Sequence, residues 1–166
     1  MTNRRTLMLA GLGAATALPF LDRFLGGPAL AAGSAKFEYV LTEAQWRTKL
    51  PGLSYDVLRR EATERPFTSP LNNEHRVGVF ACKGCALPLF SSAAKFESGT
   101  GWPSFYAPMK NAVGTTTDKS LFMERTEVHC RRCGGHLGHV FEDGPKPTGL
   151  RYCMNGAAMT FTPTKA

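Results

Sequence analysis

Two Cys-x-x-Cys pairs, Cys82 with Cys85 and Cys130 with Cys133, constrain this chain more than any other feature, because four thiols at that spacing can draw two distant stretches to one point. Each pair runs into small residues, Cys85-Ala86 and Cys133-Gly134-Gly135, as zinc knuckles do. Four thiolates fill a tetrahedral shell at about 2.3 Å from the metal and leave no open position. The expectation is therefore one structural zinc per chain, held by Cys82, Cys85, Cys130 and Cys133. In an oxidising compartment the same cysteines could pair as disulfides. A catalytic zinc of the deaminase type needs a His-x-Glu motif, and none occurs. A thioredoxin-like redox pair would open a helix after a strand, which neither pair does.

With four cysteines committed to metal, one of the five remains, Cys153. It lies in Arg151-Tyr152-Cys153-Met154-Asn155. If that segment is extended, Arg151, Cys153 and Asn155 point to one face. A guanidinium beside a thiol favours the thiolate, the form that attacks electrophiles. A lone cysteine in a strand is more often a small core residue. The cation and the amide on the same face favour a nucleophile. His136 and His139, in Gly134-Gly135-His136-Leu137-Gly138-His139, could supply a proton, since imidazole titrates near neutrality. Trp102, in Gly101-Trp102-Pro103, offers either a rigid aromatic face for an apolar group or a core residue.

The N-terminus carries Arg4-Arg5 ahead of an apolar stretch, Leu7 to Leu21, with no acidic residue before Asp22. This is the pattern of a twin-arginine signal peptide, and Ala29-Leu30-Ala31 provides the small-x-small cleavage site. An uncleaved anchor is disfavoured because Pro19, Asp22 and Arg23 cut the apolar run below the roughly 20 residues that span a bilayer. The expected organisation is a signal peptide over 1–31, a linker over 32–40 and one domain over 41–163, exported to the periplasm. The 43% of apolar residues suffices for a core. The formal charge of +7 comes from scattered residues, without a nucleic-acid motif, so no nucleic-acid partner is expected.

Within the domain, Thr42 and Gln45 have the spacing of a capping box, opening a helix that Pro51-Gly52 stops. A second short helix is predicted from Ser54, with Tyr55, Leu58 and Ala62 at helical spacing and Pro66 ending it. Beyond it the pattern turns to β. Arg76–Ala81 reads as a strand running into the first knuckle, Leu121–Val128 as one leading into the second, and Leu150–Phe161 as a last strand carrying Cys153. The knuckles are expected to end neighbouring strands. The fold class predicted is mainly β, with short N-terminal helices.

Gly101-Trp102-Pro103-Ser104-Phe105, the run from Cys130 to Phe141, Asp143-Gly144-Pro145 and Arg151-Tyr152-Cys153-Met154-Asn155 resemble, in order and spacing, the signatures of the methionine-R-sulfoxide reductases. Ala62–Phe67 and Phe80–Cys85 fit the same family, so the resemblance covers Thr42 to Phe161. It implies twisted antiparallel sheets pinned by zinc, and an oxidoreductase that repairs protein under oxidative stress. Cys153 would attack the sulfoxide sulfur, Trp102 would hold the substrate methyl, His136 and His139 would assist protonation of the oxygen, and Arg151, Asn155 and Asp143 would orient or polarise the nucleophile. Attack leaves a sulfenic acid on Cys153.

Many members of that family carry a second, recycling cysteine just before Gly-Trp-Pro-Ser-Phe, where this chain has Thr100. The expected reductant is therefore external, a thioredoxin-like protein or a small thiol. Met154 and Gly156-Ala157-Ala158 also vary from the family pattern, at positions expected to pack. The substrate would be methionine-R-sulfoxide, free or protein-bound, and the chain a monomer. A zinc-pinned binding module without catalysis, or a metal-storage protein, are the rival classes, and neither needs a thiol between Arg151 and Asn155.

Overall fold

The computed structural model describes residues 37–50, 52–119 and 124–164. The expected signal peptide, most of the linker and Leu121–Met123 of the strand expected over Leu121–Val128 lie outside the described residues. Helix α1 spans Glu43–Lys49; the Thr42 hydroxyl accepts from the Gln45 N–H while the Gln45 side chain accepts from the Thr42 N–H, the reciprocal cap predicted. Helix α2 spans Leu53–Arg60 and ends earlier than the apolar spacing predicts, with Glu61 in the left-handed region at φ 58°. Tertiary contacts override the helical pattern there. The Glu64 N–H donates to the Asn155 side chain and its carbonyl accepts from the Trp102 indole, so the chain must leave the helix to reach both.

The strands, in chain order, are β1 (Gly78–Cys82), β2 (Pro88–Ser91), β3 (Lys95–Phe96), β4 (Ser104–Phe105), β5 (Val113–Asp118), β6 (Arg125–Cys130), β7 (His136–Phe141), β8 (Arg151–Met154) and β9 (Met159–Pro163). They form two antiparallel sheets, ordered β2-β1-β9 and β3-β4-β8-β7-β6-β5. Aromatic rings join them: Phe90 of the first sheet stacks on Phe105 of the second at 4.3 Å, and Phe80 meets Phe105 edge-on at 4.9 Å. All three are fully buried, and burying an aromatic side chain contributes roughly 1.5–3 kcal/mol each.

The expectations for the last strand and for the knuckles are corrected. The single last strand over Leu150–Phe161 is two strands in different sheets, β8 and β9, joined by a 3-10 turn at Gly156–Ala158. The break falls at Asn155, whose N–H donates to the Leu137 carbonyl and whose own carbonyl accepts from the Ala158 N–H, turning the chain from one sheet to the other. The knuckles do end strands, β1 at Cys82 and β6 at Cys130, but these belong to separate sheets. The cysteine cluster thus ties sheet to sheet. Residues 37–40, placed in the linker, pack on the domain: the Tyr39 N–H donates to the Arg132 carbonyl and Phe37 meets the His129 ring edge-on. Met154 and Ala158 are buried at packing positions, as expected.

Candidate active site and metal centre

The four knuckle thiols converge at the buried end of β1 and β6. Their sulfur atoms all lie within 4.8 Å of one another, with Cys82 and Cys133 at 3.7 Å and Cys85 and Cys130 at 3.5 Å. A disulfide would bring two sulfurs to about 2.05 Å. Ligands 2.3 Å from a tetrahedral centre stand about 3.8 Å apart, so the spacing fits a shared metal ion. Four thiolates this close also need a cation to offset their charge. The knuckle carbonyls are held from outside: Arg59 donates to the Cys133 carbonyl, and Arg132 to that of Cys85. Trp46 of α1 packs on Gly84 between Cys82 and Cys85, and Arg59 lies over its ring at 4.8 Å.

Cys153 sits elsewhere, on the face of the six-stranded sheet. Antiparallel neighbours in register project to the same face, and one row of partners crosses the sheet: Thr116 beside Glu127, Glu127 beside His139, His139 beside Cys153, and Cys153 beside Ser104. The row is possible because Gly138 lies against β8. A Cβ there would stand 2.1 Å from the Cys153 carbonyl oxygen. On the open side, Trp102 is brought in by a turn through Gly101 at φ +94°, where a side chain would strike Pro66 at 2.8 Å. The Trp102 indole N–H donates to the Glu64 carbonyl at 2.9 Å, which fixes the ring.

Cys153, Trp102, His139 and Asn155 line one cavity of about 190 Å³ with Thr63, Arg125, Gly138 and Phe141. A methyl thioether chain fits such a volume, with aromatic walls at Trp102 and Phe141. Both ends of the Asn155 amide are engaged, accepting from the Glu64 N–H at 2.8 Å and donating to the Leu137 carbonyl at 3.0 Å. Arg151 and Asp143 stand outside the cavity. The Asp143 carboxylate accepts from Arg151 Nε and Nη2, each at 2.8 Å, and the guanidinium lies over the Phe141 ring at 4.4 Å. From there the Arg151 guanidinium favours the charged form of the Cys153 sulfur.

The electrostatics differ from the expectation of a ready thiolate. Burial pushes the Cys153 thiol up from its ordinary value, outweighing the Thr100 hydroxyl and the Arg151 guanidinium, which pull it down. Burial also lowers His139, favouring its neutral form, against the pull of Asp118, whose carboxylate lies 2.8 Å from Nε2. His136 is buried but does not line the Cys153 cavity. It faces an adjoining polar cavity of about 340 Å³, which His139 also borders, with its Nδ1 2.9 Å from Glu127. The His136 contact holds the Glu127 carboxyl below its usual range.

The residues that sequence reasoning missed are the carboxylates behind the histidines, Asp118 and Glu127, and the cavity lining of Arg125, Phe141 and Thr63. A signal existed for two of them. Arg125 and Glu127 alternate along β6, and charged residues at period two on a strand otherwise apolar at Val128 mark a face turned toward a site. Asp118 gave none, since its place depends on the β5–β6 register, which sequence does not print.

The family model described as a SelR domain matches residues 50–163. Among curated relatives, the peptide methionine sulfoxide reductase MsrB of Thiobacillus denitrificans is 54% identical over 123 residues, 74% of this chain and 93% of the relative. That of Bradyrhizobium diazoefficiens is 53% identical over 125 residues, 75% of this chain and 90% of its own length. The MsrB of Leptospira interrogans is 48% identical over 126 residues, covering 75% of this chain and 96% of the relative.

Proposed function

The chain belongs to the SelR-domain family of MsrB peptide methionine sulfoxide reductases, and from that premise we propose that it reduces the R epimer of methionine sulfoxide through nucleophilic attack by Cys153. The observation that carries the reading is the register row that sets His139 beside Cys153 at a cavity walled by Trp102 and Phe141. The sulfoxide methyl rests on Trp102, and the sulfur meets Cys153 Sγ. Neutral His139 takes the thiol proton, becoming an imidazolium that Asp118 stabilises. The thiolate forms a bond to the sulfoxide sulfur while the imidazolium returns its proton to the oxygen; the substrate sulfur–oxygen bond then breaks as the hydroxyl passes to Cys153 Sγ and the transient sulfur–sulfur bond is released, leaving the thioether and a Cys153 sulfenic acid. The substrate sulfur gains two electrons and the cysteine sulfur loses two.

An external thiol then attacks the sulfenic sulfur, releasing water and forming a mixed disulfide. A second thiol resolves it, restoring Cys153 and leaving the reductant oxidised. Thr100 at the position of a recycling cysteine supports this external route, served by a thioredoxin-like protein or a small thiol. Arg151, oriented by Asp143, stabilises the charged sulfur, and Asn155 anchors Glu64 and the Trp102 wall. His136 holds the polar cavity beside His139.

The metal in the four-cysteine cluster is assigned as zinc, because an all-thiolate tetrahedron suits that ion and leaves it no vacant position for chemistry. It pins the two sheets. The segment 1–31 is assigned as an export signal preceding a domain over 41–163, which would place the enzyme in the periplasm. The decisive test presents each resolved epimer of a blocked methionine sulfoxide with a strong dithiol. Turnover of the R epimer is expected, at least tenfold faster than the S epimer; preference for S would sink the assignment.

A further inference from the structure

Beneath Cys153 lies a chain of hydroxyls that the reaction scheme above does not use. Thr100 Oγ1 is 3.8 Å from Cys153 Sγ, Ser98 Oγ is 2.8 Å from Thr100 Oγ1, and Ser104 Oγ is 2.7 Å from Ser98 Oγ. Ser104 Oγ also lies 3.1 Å from the Trp102 carbonyl oxygen. Each hydroxyl has one proton to give and two lone pairs to receive, and that limit fixes the direction of every bond. A carbonyl only accepts, so Ser104 donates to Trp102. Its proton spent, Ser104 must accept from Ser98. Ser98 has then spent its own proton and accepts from Thr100, both from the hydroxyl and, at 3.4 Å, from the backbone N–H. Thr100 has no proton left for the sulfur. At rest, therefore, Cys153 S–H is the donor and Thr100 the acceptor.

We propose that Thr100, Ser98 and Ser104 form a directional hydroxyl relay that receives the Cys153 S–H while the sulfur is neutral and, by turning the Thr100 hydroxyl, donates to the sulfur once it is charged. Thr100 is the nucleophile's own hydrogen-bond partner. Ser98 and Ser104 are positioning residues that act through it, by competing for its proton. The relay starts at the reacting sulfur and ends on the carbonyl of Trp102, so it also ties the nucleophile to the turn that carries the cavity wall. Its functional weight rests on the reading of Cys153 as the nucleophile.

Other charged groups face the sulfur. Arg151, on the same strand and paired with Asp143, draws it toward thiolate. His139 from β7 and Arg125 from β6 border the cavity, and the Glu64 carboxylate is held by the Ala157 N–H behind Asn155. These are untouched by substitutions in the relay, so shifts among relay variants report the hydroxyls. Opposite signs are expected within one small cluster, which a general loosening of the site would not produce.

The test measures alkylation of Cys153 by iodoacetamide against pH in the metal-loaded full chain, read peptide by peptide so that the knuckle thiols do not contribute. Thr100→Val removes the donor that a thiolate needs, and the midpoint should rise by about half a unit, roughly a threefold loss of thiolate at a given pH. Ser98→Ala leaves the Thr100 proton with no acceptor but the sulfur, and the midpoint should fall by a similar amount. Ser104→Ala frees the Ser98 proton to turn back to Thr100, with the same downward result. Thr100→Ser should hold the wild-type midpoint. Ser98→Ala and Ser104→Ala moving upward with Thr100→Val, or all variants leaving the midpoint in place, would overturn the relay. Because the readout is ionisation, failure of sulfoxide turnover would strike the proposed function and leave the relay standing.

Discussion

Five cysteines occupy two surroundings in this domain. Four meet one another at the closed end of the sheets, with Cys82 at 1% and Cys85 at 8% exposure. The fifth stands alone on β8, partly exposed at a cavity mouth, with a hydroxyl, a guanidinium and an imidazole for neighbours. Nothing intrinsic to the residue separates the two sets. Crowded thiols can ionise only with a cation among them, which takes their lone pairs out of reaction. An isolated thiol keeps its lone pairs, and its neighbours decide when it gives up its proton. The comparison teaches that an unpaired cysteine near partners of other chemistry, rather than any cysteine count, marks the reactive position.

The two surroundings differ most at the metal. Cys130→Ser should lose the ion and, with it, the tie between the sheets. Structural zinc contributes apparent free energies of about 10–16 kcal/mol in small domains, comparable with the whole stability of a domain, about 5–15 kcal/mol. The expected result is a melting transition lowered by about 20 °C or more, or lost, alongside metal content near zero. A metal-free variant that melts like the wild type would remove the distinction. Cys153→Ser should do the reverse: metal and melting temperature are retained, while sulfoxide turnover falls by about a thousandfold or more, as loss of a covalent nucleophile requires. Residual turnover above a tenth of wild type would mean that another thiol does the work.

How far the sequence reached follows the same division. The metal site was legible because its signal is local, two short spacings that need only converge. The α1 cap was legible for the same reason, Thr42 and Gln45 lying three residues apart. The segment Leu150–Phe161 reads as one strand because both halves are extended, and what divides them is the bond from the Asn155 N–H to Leu137, a contact across the sheet. Cys153, His139, Asn155 and Trp102 were each picked out as candidates, and the structure brings all four to one cavity. Arg151 and Asp143 stand behind it, and His136 belongs to its neighbour. Residue type could nominate a histidine. Only the register, with Glu127 opposite His139 and His139 opposite Cys153, could say which one faces the sulfur.

The two histidines differ in the same way as the two sets of cysteines. His139 borders the thiol cavity and His136 does not, so His139→Gln should lower kcat/KM by about a hundredfold, the scale of general acid-base catalysis. His136→Gln, which keeps a donor for Glu127, should cost less than about tenfold. Steady-state kinetics on the R epimer decide it; equal losses, or the larger one at His136, would show that the polar cavity and not the register row supplies the proton.

The smallest effect expected lies in the charge beside Cys153. Burial raises the thiol, while Thr100 and then Arg151 oppose it. Arg151→Met removes one of those opponents and leaves burial less restrained, so the alkylation midpoint of Cys153 should rise further, by about half a unit to one unit. A midpoint that stays or falls would show that Arg151 serves Asp143 and Phe141 rather than the sulfur. Stability should barely move near neutral pH, because Asp143 is largely exposed and such solvent-screened pairs contribute about 0–1 kcal/mol. The sign with pH is fixed by linkage. A thiol whose folded midpoint lies above its unfolded one favours the fold while protonated. That contribution is complete below the unfolded midpoint and is lost as pH rises through the folded one. With a larger upward shift, the variant should lose more of its melting temperature than the wild type between neutral and strongly alkaline pH. The four knuckle thiols, already ionised against their metal, should add nothing to that difference, so a Cys153→Ser background should erase it.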